Sequence, residues 1–224
     1  MMKLISTYKN HYQMLLIALA VVTALSSCTK EQVKPQLQDG SSTVVTDLPG
    51  DVGSTINTGF KTFYFSFSTN SKVDSTARQS TLWDLSFGRE YNSYIGINNG
   101  TNAGSYGFGG AGKGALIVVN QAYDLVKEAP SDADFTGKGV TSVGWDPGNG
   151  LGWYFYDLKT HIAVPIKGRT FVLRTAEGKY AKLELVSMYK GAPAVVTDLN
   201  WPSPYFTFRY YVQQDGSRNL STKN

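Results

Sequence analysis

Aromatic residues recur at every second position in two separate stretches of this 224-residue chain. Phe63, Phe65 and Phe67 alternate with Thr62, Tyr64, Ser66 and Ser68, and Phe206, Phe208, Tyr210 and Val212 share one face of Tyr205–Val212. Successive side chains point to opposite sides of a strand, so this spacing predicts half-buried strands rather than helices. The chain carries 4 Trp, 14 Tyr, 11 Phe and 23 Gly. Aromatic strands punctuated by glycine turns make the expected fold class all-β and mostly antiparallel.

Further strands are expected at Leu82–Phe87, at the continuous apolar run Ala115–Val119 and at Leu151–Asp157. One short helix is expected over Asn120–Ala129, stopped by Pro130. The stretch Arg169–Tyr189 reads as a hairpin turning at Gly178. A three-residue loop, Ala176-Glu177-Gly178, ends on the residue best suited to a left-handed backbone. It pairs Thr175 with Lys179, Phe171 with Leu183, Leu173 with Ala181 and Arg174 with Tyr180. A two-residue loop would instead set Phe171 against Glu184 and Leu173 against Lys182, so apolar matching favours the first register. Continued further, that register sets Met188 opposite Ile166, at the same end as the loop His161–Gly168.

Cys28 is the one cysteine. Before it stand Lys3, Lys9 and His11, a 12-residue apolar run Met14–Leu25, and the small pair Ser26-Ser27. A basic start, a short apolar stretch and a small-residue cleavage site make a secretory signal over residues 1–27, too short to span a bilayer. A cysteine immediately after the cleavage site is the mark of a lipoprotein, so a covalent lipid on Cys28 and a membrane anchor are expected. Thr29-Lys30-Glu31 has no aspartate beside the anchor, which fits the outer membrane, at its periplasmic face or the cell surface. Residues 28–58 are polar and read as the lipidated cysteine and a flexible tether. A single β domain is expected over 59–215 and a polar tail over 216–224. With the one thiol used by the anchor, packing and hydrogen bonds alone must hold the fold.

Lys3 and Lys9 leave with the signal, so the mature balance is 19 basic against 17 acidic residues. That is too even to argue for nucleic acid. Gly107, Gly109 and Gly112 match a dinucleotide-binding pattern, and Gly107, Gly112 and Lys113 match a phosphate-loop pattern up to its last position, which is Gly114. The context fails: a polar glycine loop precedes the segment and a strand comes after it, so no helix N-terminus faces a phosphate. The mature chain has one histidine, His161, and no free thiol, which leaves no nucleophile pair, no marked carboxylate pair and no standard zinc set. No enzyme is expected.

The segments Trp83–Arg89, the glycine-asparagine loop ending at Ala115, Gly152-Trp153-Tyr154 and above all Pro165–Lys190 resemble the HmuY family of haem-binding lipoproteins of the Bacteroidetes. The resemblance runs over most of residues 60–212. It implies an HmuY-like β domain that captures haem and hands it to a TonB-dependent receptor. The family's founding member holds iron between two histidines. A single mature histidine makes that arrangement impossible within one chain here, and the matching stretch for the second is Asp157–Thr160. The ligand candidates that the resemblance leaves are His161 and Met188, with Trp153, Tyr154, Tyr156 and Tyr189 as haem contacts. Haem iron accepts His, Met or Tyr. The alternative is a surface module for glycans or a protein partner, for which exposed tryptophans would be the sign.

Overall fold

The computed structural model describes residues 36–222. The signal sequence, Cys28 and the first part of the expected tether lie outside the described residues.

The aromatic alternation produces the two strands it predicts. β2 (Phe63–Ser66) and β12 (Tyr205–Val212) turn Phe65, Phe206, Phe208 and Tyr210 into one core. The first sheet runs β1 (Thr43–Pro49), β12, β11 (Tyr180–Ser187), β10 (Thr170–Arg174), β6 (Ala115–Val119), every pair antiparallel. The second runs β3 (Ser71–Val73), β2, β4 (Leu85–Gly88), β5 (Tyr94–Ile97), β7 (Ser142–Val143), again antiparallel. A separate two-stranded ribbon joins β8 (Tyr154–Asp157) to β9 (Ile162–Pro165). The fold is all-β with one short helix, α1 (Asp132–Lys138), among the described residues.

The inner faces of the two sheets meet through aromatic rings. Phe65 stands edge-on to Phe208 at 5.3 Å between centroids, and Phe87 lies 4.8 Å from Phe206. Offset and edge-to-face contacts of this kind add to area burial. The apolar run of β6 is continuous because both of its faces are covered: Leu116 joins the main core, and Ala115 and Ile117 join a smaller cluster with Val172, Phe135 and Leu220. In that smaller layer Lys182 is fully buried, and its ammonium donates to the carbonyls of Tyr123 and Val126 and to Thr222 Oγ1.

The β10–β11 register is the one that the three-residue loop sets, with Phe171 opposite Leu183 and Arg174 opposite Tyr180. Thr175 N–H donates to Lys179 O, and Gly178 sits at φ +89°. The ladder stops earlier than expected. β10 begins at Thr170, Ile166 N–H donates to Trp153 O, and the Met188 carbonyl accepts from Tyr205. Met188 and Ile166 are therefore not ladder partners.

Three expectations need correction. The helix lies after Pro130, not before it: Ser131 caps it in a reciprocal box with Asp134, while Asn120–Ala129 holds only a three-residue turn of 3-10 helix, Tyr123–Leu125. The stretch read as tether contains β1, an edge strand on β12, because Val45 reaches the core. The C-terminal stretch read as a polar tail packs inward: Leu220 is fully buried and its N–H donates to Lys127 O.

The glycine segment 107–114 has a structural purpose. A Cβ on Gly107 or Gly112 would overlap Asn98 Oδ1, and one on Gly114 would press on the Asn98 carbonyl. The loop folds around the buried Asn98, whose amide donates to Ser80 O and Trp83 O. Only residues without a side chain allow that approach.

Candidate functional site

The ribbon β8–β9 stands out because part of its apolar surface is uncovered, although Tyr154, Ile162 and Ala163 are buried in the main core. Phe155 and Val164 are directly paired across the two strands, and each is 50% exposed. Leu158, at the tip, is 71% exposed. Strand propensity explains these residue types; burial does not.

The tip is a four-residue turn, Leu158–His161, closed by His161 N–H donating to Asp157 O. The Asp157 carboxylate accepts from the N–H groups of Lys159 and Thr160, and those bonds hold it below the usual carboxylate range. His161 sits at φ +57°. That left-handed position is one glycine adopts freely, whereas histidine does so under some strain. Its side chain is exposed. Ring Nδ1 lies 3.0 Å from the Tyr156 hydroxyl, and Tyr156 is in turn edge-on to Trp145 at 6.4 Å. Trp145, Tyr156 and His161 thus form a row of exposed rings along one edge of the ribbon.

Asp146 builds the support under that row. It accepts from the N–H groups of Gly148, Gly150 and Gly152, and it pairs with the buried Arg169 guanidinium, which also donates to Gly152 O. Burial pushes the Asp146 carboxyl up, but Arg169 and the loop N–H groups outweigh it and hold the group below its ordinary value. The loop between Trp145 and Trp153 is therefore fixed at both ends.

The candidates from the sequence divide into two groups. His161 and Tyr156 meet at the ribbon tip. Trp153 and Tyr154 point into the core instead: Trp153 Nε1–H donates to Ser93 O, and Tyr154 Oη lies 3.0 Å from Ser93 Oγ. Burial pushes the Tyr154 phenol up to about 12. Tyr189 is buried as well, its oxygen accepts from Ala163 N–H, and burial raises its pKa. Met188 is 4% exposed within the main core, whereas His161 is on the surface. Trp145 and Phe155 were missed by sequence reasoning. An aromatic directly before Asp146-Pro147-Gly148, a turn sequence, was the available signal for Trp145.

A groove of about 460 Å³ lies at the other end of the β10–β11 hairpin, lined by Thr43, Asp84, Glu177, Lys179 and Tyr210 among others. Its two carboxylates do not form a catalytic pair. Burial raises the Asp84 pKa, and both its oxygens are engaged by the N–H groups of Phe67 and Ala176. No group of three metal-ligating side chains occurs among the described residues.

No protein-family model matches the chain, and no curated protein matches it. Solved structures do. The chain is similar to the apo HmuY analog of Tannerella forsythia, with 13% identity, a TM-score of 0.41, and coverage of 78% of this chain and 95% of that one. It is also similar to apo PinO from Porphyromonas gingivitis, with 10% identity, a TM-score of 0.43, and coverage of 77% and 96%.

Proposed function

We propose that this chain is a lipid-anchored haem-binding protein of the outer membrane that captures haem at the β8–β9 ribbon and hands it to a TonB-dependent receptor. Cys28 carries the lipid. The observation that supports this reading is the state of His161: an exposed imidazole, on a left-handed backbone position, with one ring nitrogen engaged and the other free. Metal-bound histidines are oriented in this way, by a hydrogen bond from the second ring nitrogen. With the proton on Nδ1 and donated to the Tyr156 oxygen, the lone pair is on Nε2, where iron would be held. Trp145 and Tyr156, which touch each other and of which Tyr156 touches His161, offer ring faces to a porphyrin. An exposed site also suits handover, because a receptor can reach the guest without the domain opening.

Trp145, at 43% exposure, favours a second reading, a sugar platform. Trp83 and Trp153 are fully buried and Trp201 is half-buried, so one indole alone is available for it. Tryptophan fluorescence separates the two. Hemin is expected to quench it at stoichiometric amounts, and oligosaccharides are expected to leave it unchanged. Quenching by oligosaccharides without any by hemin would replace the haem reading with the sugar one.

A further inference from the structure

We infer that the groove at the turn of the β10–β11 hairpin binds a small organic cation, an alkylamine whose ammonium pairs with Asp84. The inference is independent of the haem reading and of the ribbon. Asp84 is 8% exposed, yet no lysine or arginine is paired with it among the described residues. Its carboxylate accepts one N–H on each oxygen, from Phe67 at 2.8 Å and from Ala176 at 3.0 Å. A carboxylate oxygen has about two acceptor sites, so one is left on each, and Asp84 lines the groove. Two backbone N–H groups orient the charge without cancelling it. A buried charge is costly until a counter-charge meets it. Lys179, the one cation lining the groove, is engaged elsewhere: its ammonium lies 3.5 Å from Glu177 Oε2 and donates to Gln214 Oε1. The counter-charge for Asp84 therefore has to come from a ligand.

The rest of the groove sets the class of that ligand. Two carboxylates, Asp84 and Glu177, stand against one ammonium, Lys179, so the groove carries an excess of negative charge that favours cations over anions. Leu82, 62% exposed, and Tyr211 supply apolar wall for a carbon stem. Long cationic side chains bury their stems along such surface while the charged head finds its partner. The volume of about 460 Å³ lies in the range of small-molecule sites. A metal ion fits poorly, because no group of three metal-ligating side chains occurs among the described residues. A charge-assisted bond from an ammonium to Asp84 is of the strong kind, and it forms where water is largely excluded.

The test is an NMR titration of the purified, nitrogen-15-labelled chain with pentylamine, 1-pentanol and pentanoate at neutral pH. The amide signals of Phe67 and Ala176, the two donors to Asp84, are the readout. Pentylammonium is expected to shift both saturably, and the neutral and anionic probes are expected to leave them in place. Asp84→Asn should weaken pentylammonium binding roughly tenfold or more, the effect of losing a charged hydrogen-bond partner. Near-UV circular dichroism shows whether that variant is folded. Glu177→Gln, at the exposed rim, provides the second variant. It removes one negative charge and the partner of Lys179, and it should weaken binding by about threefold, the size of a partly exposed charge effect. The absence of a saturable shift with pentylamine overturns the inference, as do equal shifts with 1-pentanol. Binding of pentylamine that Glu177→Gln and a folded Asp84→Asn both leave unchanged also overturns it. None of these outcomes touches the haem reading, which is tested at His161.

Discussion

At the residue scale, two polar side chains are held in costly positions, and they do different things. His161 is exposed and stands at a left-handed backbone position, and it is the residue on which the proposed haem site rests. Lys182 is fully buried and spends its donors on two carbonyls and Thr222, which is the profile of a clasp. Desolvation lowers its pKa to about 8 from 10.5. Between those values the unfolded chain binds more protons than the folded one, so this lysine makes stability rise with pH across that window. Lys182→Met leaves the carbonyls of Tyr123 and Val126 without their donor, which should cost about 1–3 kcal/mol, offset near neutral pH by no longer burying a charge. It should also flatten stability between about pH 8 and 10.5 relative to the parent chain. Urea denaturation at several pH values checks both effects. An unchanged pH slope would mean that the ammonium is not the group titrating there. The clasp was not legible beforehand, since Lys182 reads as an ordinary polar strand residue; His161 was named as a candidate ligand through the family resemblance.

At the scale of elements, what the sequence revealed depended on whether the signal was local. The β10–β11 register was readable because one glycine and a pattern of apolar partners decide it within a single hairpin. The helix was misplaced because Pro130 was taken as a stop. The proline instead stands just before Ser131 and Asp134, the two halves of an N-terminal capping box. The glycine segment was denied a phosphate on its sequence context alone, and its packing purpose was hidden, since Asn98 is brought to it only by the fold. That purpose is testable. Gly107→Ala places a methyl group against the buried Asn98 amide, and overpacking of this kind typically costs about 1–3 kcal/mol. Thermal denaturation should show a clear drop in midpoint for Gly107→Ala and little for Gly137→Ala, where a Cβ meets nothing within 4 Å. Equal effects at the two positions would refute packing against Asn98 as the reason for the glycine.

For the whole molecule, the two ends of the domain are structural, and this is where sequence reasoning was weakest. Polar composition suggested a tether up to residue 58 and a loose tail from 216. Yet β1 completes the first sheet, the Leu37 carbonyl accepts from the buried Arg209, and Leu220 fills the smaller core. A few apolar residues in polar surroundings are enough when a long-range partner exists, and composition cannot report the partner. Deleting residues 216–224 should cost about 2–5 kcal/mol, the range for removing a fully buried leucine. Chemical denaturation of the shortened chain measures it, and a loss within error would return the segment to the status of a tail. The proposed haem site lies on the β8–β9 ribbon, where the reading rests on one imidazole. The decisive measurement is the Soret spectrum of hemin titrated into the purified chain and into H161A, with near-UV circular dichroism confirming that both are folded. Ligation by His161 requires a red shift in the parent that is abolished in the variant. An identical shift in both, or none in either, would rule that ligation out.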